Sequence, residues 1–182
     1  SSGTVTWYNR YGSGSSHELG YSIRELASPD QDKYVVTGSV YPGGRVSSIF
    51  NIYNETAGVF EPHVNSEMNH VLVMKIDGTA AIPGTISWSK MYEPVDNNIW
   101  KESEGYKILE LSNKDLVLTG MYSAGYLVQQ PNLYNSHVYP IVYHLTSAGN
   151  VNWSKVYREA AGANKSLHDA SGISMVDLGS SG

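Results

Sequence analysis

The sequence predicts an all-β protein built from a repeated four-stranded antiparallel sheet. Three observations predict it. A pattern in which Gly leads β-branched residues, then a Trp, then a Tyr four positions later occurs at residues 3–11 (GTVTWYNRY), 84–92 (GTISWSKMY) and 149–157 (GNVNWSKVY). Other short strand-like segments recur in phase with it, and no apolar period is long enough to suggest a crossover helix. Fourteen Tyr, four Trp and eighteen Gly make up a composition suited to many short strands joined by turns.

Taken in order, the elements sort into four types. The Trp-containing segment is an outer strand, here termed d. Plain alternation places Val5, Trp7, Asn9 and Tyr11 on one of its faces, and Ile86, Trp88, Lys90 and Tyr92 on the corresponding face of the next copy. Strand a is residues 20–26 (GYSIREL), repeated at 105–111 (GYKILEL) and more weakly at 171–178 (SGISMVDL). Strand b is 34–38 (YVVTG), repeated at 116–120 (LVLTG); strand c is 71–77 (VLVMKID), repeated at 140–146 (PIVYHLT). The links SPDQDK and SNKD between a and b, and GTAAIP and SAG between c and d, have hairpin length, which makes neighbouring strands antiparallel.

The expected organisation follows. Residues 1–12 form an outer strand of a preceding unit, 20–92 a unit with a long b–c loop at 41–69, 105–157 a second unit, and 171–182 the first strand of a following one. Orphan strands at both ends would expose unpaired edges and apolar faces. The chain is therefore expected to be a segment of a larger array, or to have its edges closed by other copies of itself.

A four-stranded antiparallel unit repeated every 40 to 80 residues or so is the sequence signature of a β-propeller blade. The series GxxxWxKxY, GYxIxEL, (V/L)xTG and VxVMKID resembles the propeller repeats of secreted and cell-surface bacterial and archaeal proteins, most strongly over residues 71–120. It departs from that pattern at Tyr8-Asn9, where other copies read Ser-Lys, at His144-Leu145, where the first copy reads Lys75-Ile76, and in its long loops. The resemblance implies about two full blades plus a strand at each end, in an extracellular or cell-surface, non-catalytic module with structural and binding roles. Two alternatives come with it: a glycoside-active or quinone-dependent propeller enzyme whose site further blades complete, and a subunit of an extracellular filament or sheath.

Composition narrows the partners. The 182 residues suffice for one medium domain, and a formal charge of −5 with twelve scattered Lys and Arg offers no polyanion-binding surface, so nucleic acid is not expected. Without cysteine there is neither disulfide nor thiolate metal site. No apolar run approaches the roughly 20 residues of a membrane-spanning helix, and no membrane insertion is expected. Asn-x-Ser/Thr sequons at Asn54, Asn152 and Asn164 raise glycosylation, with Asn54 and Asn164 the candidates and Asn152 disfavoured inside a strand beside Trp153.

Up-and-down strands put the b–c and d–a links on one face, and those links are the long ones: 41–69 and 123–136, then 12–19, 93–104 and 158–170. Rigid scaffolds present function on such loops. Their aromatics Tyr41, Phe50, Tyr53, Phe60, Trp100, Tyr126 and Tyr134 suit carbohydrate stacking or a protein partner, against the alternative that they pack the loops onto the blades. Residues 50–53 (FNIY) alternate like an added edge strand. His17-Glu18 and His168-Asp169 fall in equivalent d–a loops, with Glu102 and Glu104 between them, so a divalent cation near a channel mouth is the one cofactor to consider. The competing reading has those acids satisfying backbone donors where strand a begins.

Glu61-Pro62-His63 and His70 read as ordinary polar loop residues, and His144 as a packed strand residue. The carboxylates Asp30, Asp32, Glu55, Glu61 and Asp96 show no pairing in sequence, and no GxSxG, phosphate-cradling loop or thiol nucleophile is present. No catalytic residue is assigned. The repeated Trp7, Trp88 and Trp153 read as packing residues between adjacent blades rather than sugar platforms. The partners expected are further blades or other copies of the chain, then carbohydrate or protein.

Overall fold

A computed structural model of the chain describes residues 4–12, 17–41, 51–54, 59–62, 69–93, 100–127, 134–158 and 175. Their ordered elements are all strands: β1 (His17–Glu25), β2 (Lys33–Tyr41), β3 (Asn51–Asn54), β4 (Val59–Pro62), β5 (His70–Asp77), β6 (Thr85–Tyr92), β7 (Trp100–Glu110), β8 (Leu116–Leu127), β9 (Tyr134–Leu145) and β10 (Val151–Val156). They form two sheets. The first has the order β1-β2-β5-β6-β3-β4 and the second β10-β9-β8-β7. Each therefore contains the expected a-b-c-d meander of four antiparallel strands, β1-β2-β5-β6 and β7-β8-β9-β10.

The repeated sequence signatures have a common local cause. In both sheets strand a carries a bulge at the Tyr of its Gly-Tyr pair, where the register slips between Gly20 and Ser22 and between Gly105 and Lys107. The slip pushes the carbonyl of the residue before that Gly toward strand b. A Cβ at Gly38 would collide with the Leu19 carbonyl, and one at Gly120 with the Glu104 carbonyl, which is why each b-strand motif ends in Gly. The short hairpins are alike too. Leu111 N–H donates to Asp115 O and Thr146 N–H to Asn150 O, both at 2.8 Å, across three-residue loops whose last residue is left-handed: Lys114 at φ 73° and Gly149 at φ 75°.

A second bulge corrects the simple alternation of strand d. The ladder slips between Lys75 and Ile76, whose partners are Trp88 and Ile86, and again between Val151 and Trp153. The extra residue is Ser87 in one copy and Asn152 in the other. One inserted residue turns the strand over. Ile86 consequently packs with Val40, Leu72, Met74 and Met91 on one face of the first sheet, while Trp88 and Tyr92 pack on the opposite face.

Three other expectations meet a different outcome. Residues 4–12 run without regular secondary structure, although their Tyr11 packs on the first sheet. The second sheet is taller than its motifs: β7 to β9 continue into stretches read as loops, so Trp100, Tyr126 and Tyr134 lie on strands, in register with Gly125, Asn135 and Leu127. Within residues 41–69 lies a hairpin, β3–β4, whose β3 runs parallel to β6 through Ile52 with Met91 and Tyr53 with Tyr92. The FNIY reading of an added strand thus holds for Asn51, Ile52 and Tyr53, but β3 is not the edge: β4 pairs on its far side and ends the sheet.

The two sheets stack face to face. Between them lies the main core, with Leu26, Val35, Val71, Val73 and Tyr92 from the first sheet against Ile108, Leu118, Tyr122, Ile141 and Tyr143 from the second. Burial of this apolar surface is the principal stabilising term. The sheets approach closely at Gly105, where a Cβ would strike the Thr37 hydroxyl. Polar bridges cross the same seam. Buried Ser103 donates its N–H to Asn69 O at 2.8 Å and accepts the Val71 N–H at 3.2 Å. At the other end, Glu110 accepts the Ala27 N–H at 2.6 Å and the Lys114 ammonium donates to Ala27 O at 3.1 Å.

Candidate interaction face

The Trp-Tyr pattern makes one contact, and makes it twice. On the first sheet, Trp88 and Tyr92 close over Gly149 of the second sheet's c–d turn. The Tyr92 hydroxyl donates to Gly149 O at 2.8 Å in a fully buried site, and the Lys90 ammonium donates to Ala148 O at 2.7 Å and to Asn150 Oδ1 at 3.1 Å. Residues 4–12 do the same to the first sheet. Tyr11 donates to Gly84 O at 2.7 Å, and the Asn9 amide donates to Pro83 O at 3.1 Å. Trp7 lies over the same turn and tilts against Tyr34, ring centroids 6.1 Å apart.

Each clasp requires a glycine. Gly84 at φ 84° and Gly149 at φ 75° hold left-handed backbone, and a Cβ would come within 2.9 Å of the Trp7 ring and of the Trp88 ring, respectively. The leading Gly of one copy of the pattern is thus gripped by the Trp and Tyr of the copy before it. Neither partner is identifiable from one copy alone. The signal was the invariance of the Gly-to-Trp and Trp-to-Tyr spacings across three copies.

The third copy is open. Trp153 is 46% exposed and Tyr157 is 51% exposed, whereas Tyr92 is fully buried. They stand on the outer face of the second sheet with Lys155, whose ammonium lies 6.0 Å from the Tyr157 ring centroid. The rest of that face is the register equivalent of the first sheet's docked face. Leu111, Val117, Pro140 and Val142 are half-buried there, while their counterparts Leu26, Val35, Val71 and Val73 are buried against the second sheet. The second sheet therefore presents, unoccupied among the described residues, a surface whose twin in the same chain carries a whole sheet.

Electrostatics separate the two copies of the a–b turn. Asp30 accepts hydrogen bonds from Lys33 and Lys75, both at 2.8 Å, which hold its carboxyl at about 2. In the second copy Asp115 lies 3.0 Å from His144 Nε2, the position equivalent to Lys75, and accepts the Asn152 amide at 3.2 Å. His144 also meets Trp153 edge-on at 5.6 Å, a packed strand residue on the open face. At the bulges, Tyr21 and Tyr106 meet edge-on at 5.4 Å. Burial, followed by the Glu104 carboxylate, pushes the Tyr106 phenol up to about 12.

The remaining sequence candidates do not converge. His17 and Glu18 are the first residues of β1 rather than of a loop, with His17 against the Tyr41 ring at 6.2 Å. Glu102 and Glu104 lie on β7, while His168 and Asp169 fall outside the described residues. Among the described residues no three His, Asp or Glu side chains group to hold a metal ion. His70 is not a loop residue: it begins β5, buried and paired with Val40. Of the aromatics, Tyr41 ends β2 half-buried and Tyr53 and Phe60 lie on the β3–β4 hairpin. Phe50, His63, Glu55, Asp96 and Asn164 fall outside the described residues, and Asn54 ends β3.

Compared with family models, with curated proteins and with solved structures, the chain matches none.

Proposed function

We propose that the chain is a non-catalytic structural and binding module made of propeller-blade-like repeats, which works by docking sheet on sheet. One observation carries this reading: the open Trp153, Lys155 and Tyr157 set repeats, residue for residue, a contact that is filled inside the same chain by Trp88, Lys90 and Tyr92. The outer face of the second sheet then takes a further four-stranded sheet that brings a left-handed Gly turn and an apolar surface. Extracellular or cell-surface placement rests on the sequence resemblance. The elongated end of the second sheet and the β3–β4 hairpin form a second contact region, for carbohydrate or protein.

The test is a chain extended after Arg158 by a duplicate of residues 93–158, so that a third sheet is present by design. Trp153 should become as protected from iodide quenching as Trp88, judged against Trp153→Phe and Trp88→Phe variants, and the unfolding midpoint should rise. A Trp153 that stays as accessible as before, with unchanged stability, would refute the docking role.

A further inference from the structure

The same geometry names a partner, and the inference rests on the docking role just proposed. We infer that the open face of the second sheet docks onto the first sheet of a second copy of this chain, displacing that copy's residues 4–12. The motif on the first sheet that receives Trp7, Asn9 and Tyr11 is Pro83-Gly84, which corresponds to Ala148-Gly149 in the filled contact between sheets. In one case Pro83 O takes an amide from Asn9; in the other the equivalent Ala148 O takes an ammonium from Lys90. Lys155 of a second copy matches the second case.

The segment 4–12 is an incomplete occupant. It fills the place of a d strand, and among the described residues no further strand packs beside it on that face of the first sheet. Ile23 on the first sheet is left 63% exposed, while its equivalent Ile108, covered by the first sheet's β1 and β2, is fully buried. A docked second sheet would cover Ile23 with Leu111 and Val117, as Leu26 and Val35 cover Ile108. It would also set the Ser112 backbone against Glu25, as Ala27 is held by Glu110 at 2.6 Å. Both sides of the contact are thus present on every copy, and they are different surfaces. Association is therefore head to tail, closing into a ring where the rotation permits and otherwise extending.

Sedimentation velocity on the intact chain, from micromolar to about 1 mM, reads the association directly. Trp7→Ala loosens the chain's own segment and should strengthen association by about tenfold or more. Trp153→Ala should weaken it by a similar factor, and Ile23→Arg, at an exposed position that leaves the fold intact, should abolish it. A 1:1 mixture of Trp153→Ala and Ile23→Arg chains should form a dimer and nothing larger. Wild type and Trp7→Ala chains that both stay monomeric throughout would overturn the inference, as would association indifferent to Trp153→Ala and Ile23→Arg. Failure here alongside a protected Trp153 in the extended chain would leave the docking role standing and exclude only the second copy as its partner.

Discussion

Removing one oxygen atom from each of three tyrosines separates a contact from its empty twin. Tyr92, Tyr11 and Tyr157 occupy the same position of one repeated pattern, yet Tyr92 is fully buried, the Tyr11 contact is part-buried and Tyr157 is 51% exposed. Phenylalanine keeps the ring, so packing survives and the change reports the hydroxyl alone. In Tyr92→Phe the buried Gly149 carbonyl loses its donor at 2.8 Å, and a buried polar group stripped of its partner costs about 1–3 kcal/mol. Tyr11→Phe breaks a bond of similar length, 2.7 Å, that solvent can partly replace, and the cost falls to about 0.5–1.5 kcal/mol. Tyr157, 51% exposed, grips no glycine among the described residues, and Tyr157→Phe should stay within about 0.5 kcal/mol of wild type.

Guanidinium unfolding at low protein concentration, fitted with a common slope, measures all three. The flanking sequences of Tyr92 and Tyr157 are nearly the same, SWSKMY and NWSKVY, so contributions from the unfolded chain largely cancel in that comparison. Equal costs at these two positions would refute the clasp, and so would a Tyr92→Phe change lost in the error. Gly149→Ala should be non-additive with Tyr92→Phe. The new Cβ would lie 3.0 Å from the Tyr92 hydroxyl oxygen and 2.9 Å from the Trp88 ring, so both changes act on one contact.

Gly120→Ala drives a Cβ into the Glu104 carbonyl at the bulge, and circular dichroism should show a chain that no longer folds or melts at least about 10 °C lower. Asp30, held at about 2 against an ordinary 3.8, contributes stability above pH 4 that is lost as pH falls from 4 toward 2. After discount for its partial exposure, Asp30→Asn should lower stability at pH 7 by about 1–2 kcal/mol, with the gap to wild type closing near pH 2 in denaturant titrations. At the alkaline end the sign reverses. The folded state keeps the Tyr106 phenol neutral up to about 12 while the unfolded chain ionises near 10, so stability falls between those values. Tyr106→Phe should flatten that limb, read by unfolding at stepped pH.

The two meanders were legible because period, turn length and repeat phase agreed: GYxIxEL, (V/L)xTG and VxVMKID each landed on the strand their order required. What stayed hidden were features that repeat spacing cannot encode. The bulge at Ser87 leaves every spacing in strand d intact and still turns Ile86 to the face opposite Trp88, because it depends on the partner strand's length and not on the strand's own pattern. The continuation of β7 to β9 through Trp100, Tyr126 and Tyr134 likewise depends on neighbouring strands being there to complete the ladder. The candidate site divides along the same line. That the repeated Trp packs between units was readable for Trp88; that Trp and Tyr together grip a left-handed glycine of the next copy was not, since Tyr92 and Gly149 lie 57 residues apart. The repeat therefore specifies a contact passed from copy to copy, and the middle copy shows both halves of it, gripped at Gly84 and gripping Gly149 through Trp88 and Tyr92. Under the proposed docking role, the grip of Trp153 and Tyr157, empty among the described residues, calls for a Gly-led turn with a free carbonyl and an apolar sheet behind it.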